Sequence, residues 1–276
     1  MKDFITSDGL RLDYRDEGTG QVVLCLPGLT RDLTDFDELA AALNGNVRLI
    51  RLTMRGRKGS DFDPNFQNYN IVQESRDVVE FMDFMGLEKA VIVGTSRGGF
   101  IAMILAGTMP ERLSGVLLND IGPELTKDGL QRIVDYLGIT PKAQNLPDLV
   151  SALQSTMLDA FPNLPPEKWG ELAMRWFDVT PDGVALNYDP TMRDAMLEQQ
   201  QKPTPDLWPL FDMMAEIPLA LVRGANSDLL AAEAAAEMRR RIPAMIFADV
   251  PNRGHIPFLD EPEALDALNQ LLKLAK

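Results

Sequence analysis

Apolar and polar positions alternate along the chain in two rhythms. Short continuous apolar runs at residues 22–26, 47–52, 90–93, 113–119, 217–222 and 245–250 read as strands buried on both faces. Between them, apolar side chains recur at three-to-four spacing, which predicts amphipathic helices over residues 35–43, 71–85, 98–109, 229–241 and 262–274. Ahead of these, residues 4–7 and 10–14 flank Asp8-Gly9, a turn signal for an antiparallel hairpin. Repeated strand–helix alternation of this kind points to an α/β fold, a mostly parallel sheet with right-handed crossovers.

The rhythm breaks between residues 122 and 209. Residues 146–160 and 165–177 read as amphipathic helices, but no buried strand is evident there, and prolines cut the stretch into short pieces. All three tryptophans, Trp169, Trp176 and Trp208, fall in it. The expected organisation is an α/β core, residues 1–121 and 210–276, interrupted by a helical insertion over 122–209.

Composition narrows the functional classes. The 276 residues carry 41 acidic against 27 basic side chains, a net charge of -14. A field of that sign repels nucleic-acid phosphates and anionic lipid, so neither is expected as a partner. The longest uncharged runs, residues 18–30 and 98–110, fall short of the roughly 20 residues a membrane-spanning helix needs. The amino-terminal segment lacks the apolar stretch of a secretory signal. One cysteine and one histidine leave no ordinary zinc cluster and no internal disulfide. The expectation is a cytoplasmic protein, monomer or homodimer, without metal or cofactor, acting on a small molecule.

Candidate chemistry centres on Gly94-Thr95-Ser96-Arg97-Gly98, placed between an apolar strand and an apolar helix. Reversing from strand to helix within so few residues forces a tight turn at Ser96. Small residues two positions either side let the backbones pass, and the hydroxyl projects at a helix N-terminus. A serine hydroxyl needs a base. The only imidazole, His255, follows the last strand and is the candidate. The acid that orients it is assigned to Asp228, just past the preceding strand, over Asp120 at the end of an earlier one. Asp228 follows the later strand and precedes the histidine, as the elbow pattern requires. It also stands where a helix N-cap would, beside Ser227 and Asn226. Backbone N–H groups of Arg97 and Leu29, the latter after Pro27-Gly28, are the candidate oxyanion donors. Cys25, inside an apolar strand, reads as a buried, inert thiol.

These motifs, with Leu26-Pro27-Gly28-Leu29, the segment Met54 to Ser60, Gly224 to Asp228, and Gly254-His255 with Phe258 to Pro262, make the chain resemble the α/β-hydrolase superfamily over nearly its whole length. The resemblance is to its compact esterase and enol-lactonase-like members. It implies an eight-stranded sheet with the second strand antiparallel and a helical cap between the sixth and seventh. It matches Ser96, Asp228 and His255 to the family's catalytic triad, and Leu29 and Arg97 to its oxyanion positions. Three departures stand out: Pro27-Gly28 where many relatives have His-Gly, Thr53-Met54 where many have an aspartate before Arg-Gly, and Arg97 after the nucleophile. Arg97 either brings a cation to the pocket or points away along its helix, the latter being expected.

The insertion supplies Trp169, Trp176, Trp208 and Phe211, with several methionines, as a candidate apolar lid over a substrate. Arg31 either meets a substrate carboxylate or is a surface charge before a helix, and the surface role is expected. The reading is a serine hydrolase of a small carboxylic ester or lactone. Its alternatives are a carbon–carbon bond hydrolase of a ring-cleavage product and a slow-turnover, receptor-like binding protein. Dehalogenases and epoxide hydrolases of this fold carry aspartate where Ser96 stands.

Overall fold

A computed structural model describes residues 2–203 and 205–275. Its strands are β1 (Lys2–Ile5), β2 (Arg11–Glu17), β3 (Val22–Leu26), β4 (Arg48–Leu52), β5 (Ala90–Thr95), β6 (Leu113–Asn119), β7 (Phe177–Thr180), β8 (Gly183–Leu186), β9 (Leu219–Gly224) and β10 (Ile246–Val250). The α-helices are α1 (Asp37–Leu43), α2 (Ile71–Phe84), α3 (Arg97–Thr108), α4 (Lys127–Tyr136), α5 (Leu146–Met157), α6 (Pro166–Trp176), α7 (Met192–Gln200), α8 (Trp208–Asp212), α9 (Ala232–Arg241) and α10 (Pro262–Leu274). Eight strands form one sheet in the order β1-β2-β4-β3-β5-β6-β9-β10, parallel from β4 to β10, with β2 antiparallel to both its neighbours.

The continuous apolar runs are buried on both faces because successive side chains point opposite ways. Leu24, Leu26 and Ile92 face a layer built from α2, α3 and α9. Val23, Cys25, Val91 and Val93 face α1 and α10. Among the described residues no helix is long and apolar enough to cross a membrane.

Between β6 and β9 the chain leaves the sheet to form α4 to α7 and a two-stranded antiparallel hairpin, β7-β8. The hairpin was not among the sequence expectations. It turns at Pro181-Asp182-Gly183, where Gly183 adopts φ 126, and its strands are short and only half-buried, so they show no buried run. Helix α9 begins at Ala232, not at residue 229. The Leu229 carbonyl accepts from Thr126 N at 3.0 Å and the Leu230 carbonyl from Arg223 Nε at 2.9 Å, so neither is free to start a helical ladder.

Charged groups fasten the insertion to the core. Glu38 on α1 accepts from Lys168 Nζ at 2.5 Å and from Arg175 Nη1 and Nη2 at 2.8 and 2.7 Å, both donors on α6. Burial raises the Glu38 carboxyl, but these hydrogen bonds win and hold it at about 2. Next to it, Trp176 Nε1 donates to Asp35 Oδ1 at 3.3 Å. Burial pushes Asp35 up to about 6, only partly offset by Arg31.

The turn from β5 into α3 depends on close backbone approach. A methyl group on Gly98 would sit 2.1 Å from the Leu26 carbonyl oxygen, and one on Gly94 2.6 Å from the Gly98 carbonyl oxygen. Both obstacles are backbone. Gly98→Ala is therefore expected to cost at least about 2–3 kcal/mol or to abolish folding, read as a lowered urea midpoint or lost soluble yield. For Asp35, a folded pKa of about 6 lies above that of a free carboxyl, so its ionisation opposes folding. That cost is absent below about pH 4, grows as pH rises towards 6 and is complete above it. Asp35→Asn, which keeps the acceptor for Trp176, is expected to stabilise the protein at pH 8 by about 1–3 kcal/mol. Urea unfolding of variant and parent at pH 4 should show no such gain.

Candidate active site

Ser96 sits at the β5–α3 turn with φ 50 and ψ -113, a conformation that an L side chain adopts only under constraint. Its amide donates to the Asn119 carbonyl at 3.0 Å, fixing the turn to the end of β6. Ser96 Oγ stands 3.0 Å from His255 Nε2, and His255 Nδ1 stands 2.7 Å from Asp120 Oδ2. With Nδ1–H donating to the carboxylate, Nε2 is left to accept the hydroxyl proton of Ser96.

Asp120 follows β6 directly, at φ 52, and is fully buried. Its oxygens are satisfied by three donors at once, from the end of β9, the loop after it and the loop after β10: Oδ1 accepts from Gly224 N at 2.9 Å, and Oδ2 accepts from Ser227 Oγ at 2.6 Å and from the imidazole. Asn119 Nδ2 donates to Thr95 Oγ1 and to the Pro257 carbonyl, both at 3.1 Å, tying the serine turn to the histidine loop.

This corrects the assignment of the acid. Asp228, preferred from chain order, is ion-paired with Arg132 and partly exposed, away from the imidazole. The β9–β10 side of the sheet contributes Gly224 and Ser227 to the carboxylate pocket, and the carboxylate itself comes from the strand next to β5. The sequence held a signal: Asp120 directly follows a mostly apolar strand that reads as buried, where a charge must be partnered.

Leu29 and Arg97 bracket the space beside Ser96. Among the described residues, neither backbone N–H has a hydrogen-bond acceptor. Arg97 N–H opens α3, adding a helix N-terminus to the site. The carbonyl of Leu29 accepts from Arg57 Nε at 2.8 Å, which fixes the orientation of the loop. Sequence reasoning missed the group behind both: Glu74 on α2, fully buried, accepts from Arg57 Nη1 at 2.6 Å and from Arg97 Nε at 2.5 Å. Desolvation pushes Glu74 up, but the charges of Arg57 and Arg97 outweigh it and hold the carboxyl below its ordinary range. Arg97 thus does not point away along its helix; it is mostly buried in this network. Cys25 lies in the core, where burial pushes its thiol well up.

The four aromatic candidates separate. Phe211 and Trp208 belong to α8, which packs on the far end of α3: Leu210 faces Gly107, about 15 Å along the helix from Ser96. They are core and not lid. Trp169 is buried in a cluster with Phe161, Leu172 and Phe258. Trp176, alone of the four, packs against the loop that follows Leu29, its ring 4.0 Å from the Arg31 guanidinium.

A profile of the alpha/beta hydrolase family matches residues 23–268. The chain is 34% identical over 262 residues to a 3-hydroxybutyrate-oligomer hydrolase of Cupriavidus necator, covering 91% of this chain and 87% of that protein. It is 23% identical to a 2-(acetamidomethylene)succinate hydrolase of Mesorhizobium japonicum, over 89% and 85% of the two chains. An alpha/beta hydrolase structure from Novosphingobium aromaticivorans superposes with a TM-score of 0.91 at 38% identity, covering 99% and 97%. The protein described here belongs to the alpha/beta hydrolase family.

Proposed function

We propose that the protein is a serine hydrolase of carboxylic esters, working through an acyl-enzyme on Ser96. The observation that carries this reading is the unbroken line Ser96 Oγ, His255, Asp120, with spacings of 3.0 and 2.7 Å through the chain's single histidine. His255 Nε2 takes the Ser96 proton as Oγ attacks the carbonyl, and Asp120 holds the tautomer and stabilises the imidazolium. The amides of Leu29 and Arg97 receive the developing oxyanion, with Arg57 and Glu74 bracing both from behind. The alcohol leaves with the proton from Nε2. Water activated by the same nitrogen then releases the acid. No group in this sequence of steps requires a metal.

Two further elements of the reading rest on the relatives and on the topology. The 3-hydroxybutyrate-oligomer hydrolase directs the substrate choice towards esters of short hydroxy acids. The segment between β6 and β9, fastened through Glu38 and Asp35, serves as a cap over the site.

The test is labelling with a fluorophosphonate together with turnover of short-chain nitrophenyl esters and 3-hydroxybutyrate dimers. Ser96→Ala should lose the label. Asp120→Asn should lower kcat about 10³- to 10⁴-fold, whereas Asp228→Asn should change it less than threefold. Undiminished labelling of Ser96→Ala would remove the nucleophile, and equal losses at Asp120 and Asp228 would remove the assignment of the acid.

A further inference from the structure

Arg31 has the placement of a binding group and not of a surface charge. Its amide donates to the Gly28 carbonyl at 3.3 Å, folding the chain back over the loop that carries Leu29. A methyl group on Gly28 would touch Arg31 Cγ at 3.5 Å and Ser96 Cβ at 3.7 Å, so the arginine stem and the serine side chain flank the same glycine. The side chain is 22% exposed, with the guanidinium stacked on the Trp176 ring. Its Nε stands 3.7 Å from Asp35 Oδ2, too far for a hydrogen bond. Among the described residues, neither terminal nitrogen has a hydrogen-bond acceptor. The Arg31 charge also acts on the insertion: burial raises the Tyr188 phenol, and Arg31 pulls it down.

A stacked guanidinium held at its stem, with both terminal N–H groups uncommitted, is prepared for a bidentate carboxylate. Neighbouring arginines each have a close carboxylate partner: Arg57 and Arg97 share Glu74, their unpartnered Nη2 atoms being buried, Arg132 pairs with Asp228, and Arg175 with Glu38. With a net charge of -14, the long-range field repels an anionic substrate. Affinity for one must come from a local, partly desolvated cation. We infer that Arg31 binds a free carboxylate on the substrate, so that the preferred esters carry an acid group a few bonds from the scissile carbonyl. This deepens the ester-hydrolase reading and rests on it.

The experiment compares two matched ester pairs: the nitrophenyl monoester of succinate against nitrophenyl valerate, and 3-acetoxybutanoate against its N-methylamide. The first pair places the acid on the acyl side and the second on the alcohol side. The parent should favour the acid in at least one pair. In Arg31→Gln the acid-to-neutral ratio of kcat/KM for that pair should fall about 10- to 100-fold, chiefly through KM. Arg31→Lys, which keeps the charge without the fork, should recover part of it. Fluorophosphonate labelling of each variant shows whether its site is folded. A ratio unmoved in a folded Arg31→Gln, or a parent with no preference in either pair, overturns the inference while ester hydrolysis stands. Absence of both labelling and turnover in the parent would instead overturn the ester-hydrolase reading beneath it.

Discussion

A single buried carboxylate organises the carboxyl edge of the sheet. Asp120 has no water to solvate it, so its charge is tolerated only if donors surround it. The donors come from the end of β9 and the loop after it, through Gly224 N and Ser227 Oγ, and from the loop after β10, through the imidazole. These loops are distant in sequence and converge because one anion demands them all. Asn119, the preceding residue, uses its amide in the same way on β5 and the histidine loop. The hydrogen bonds of the Asp120 carboxylate and of Asn119 Nδ2 therefore hold Ser96, His255 and Asp120 in one arrangement.

Behind the loop that carries Leu29 stands a second polar layer. Arg55, fully buried, is compensated by Asp77, Asp63 and Asp8, and its guanidinium is held charged by those carboxylates despite the desolvation that opposes it. Two residues on, Arg57 turns to Glu74 and to the Leu29 carbonyl. Removing one partner from such a group leaves an uncompensated buried charge, which costs more than the net contribution of the pair. The Leu29 carbonyl and the Arg97 side chain are thus both held by the charge network beneath them, in addition to the loop's own hydrogen bonds. The threonine at position 53, where many relatives carry aspartate, keeps a role in the loop. Thr53 Oγ1 accepts from Leu33 N at 3.1 Å, so the position still organises the loop, through a neutral group.

The strands and their layering were legible because continuous apolar runs have few other uses, and α10 begins and ends where the pattern says, Pro262–Leu274. The serine turn was legible for a geometric reason: only glycine fits against Leu26 at position 98 and against the start of α3 at position 94. Three features were not. The β7-β8 hairpin has no buried face, and propensity alone does not distinguish such a strand from a loop. Asp120 lost to Asp228 because chain order is a weaker constraint than adjacency in the sheet, where β6 is hydrogen-bonded to β5 along its length. Glu74 reads in sequence as one polar residue on an amphipathic helix. Its burial follows from two arginines that tertiary structure alone brings to it.

The remaining asymmetry concerns how charge is distributed across the join between insertion and core. Glu38 is charge-balanced by Lys168 and Arg175, whereas the desolvation of Asp35, beside Asp32, is only partly offset by Arg31, Arg175 and the Trp176 hydrogen bond. A pairing of Arg31 and Asp35 closer than 3.7 Å would stabilise Asp35 further, but it would also spend the guanidinium on an internal partner. The observed separation keeps the arginine oriented through Trp176 and leaves its terminal nitrogens free, at the expense of a desolvated acid. Stability given up at a join while the charge beside it stays available is the pattern expected of a residue kept for binding and not for folding. Trp176 both donates to Asp35 and places its ring 4.0 Å from the Arg31 guanidinium, so a residue that seats the insertion on the core also packs against the cation.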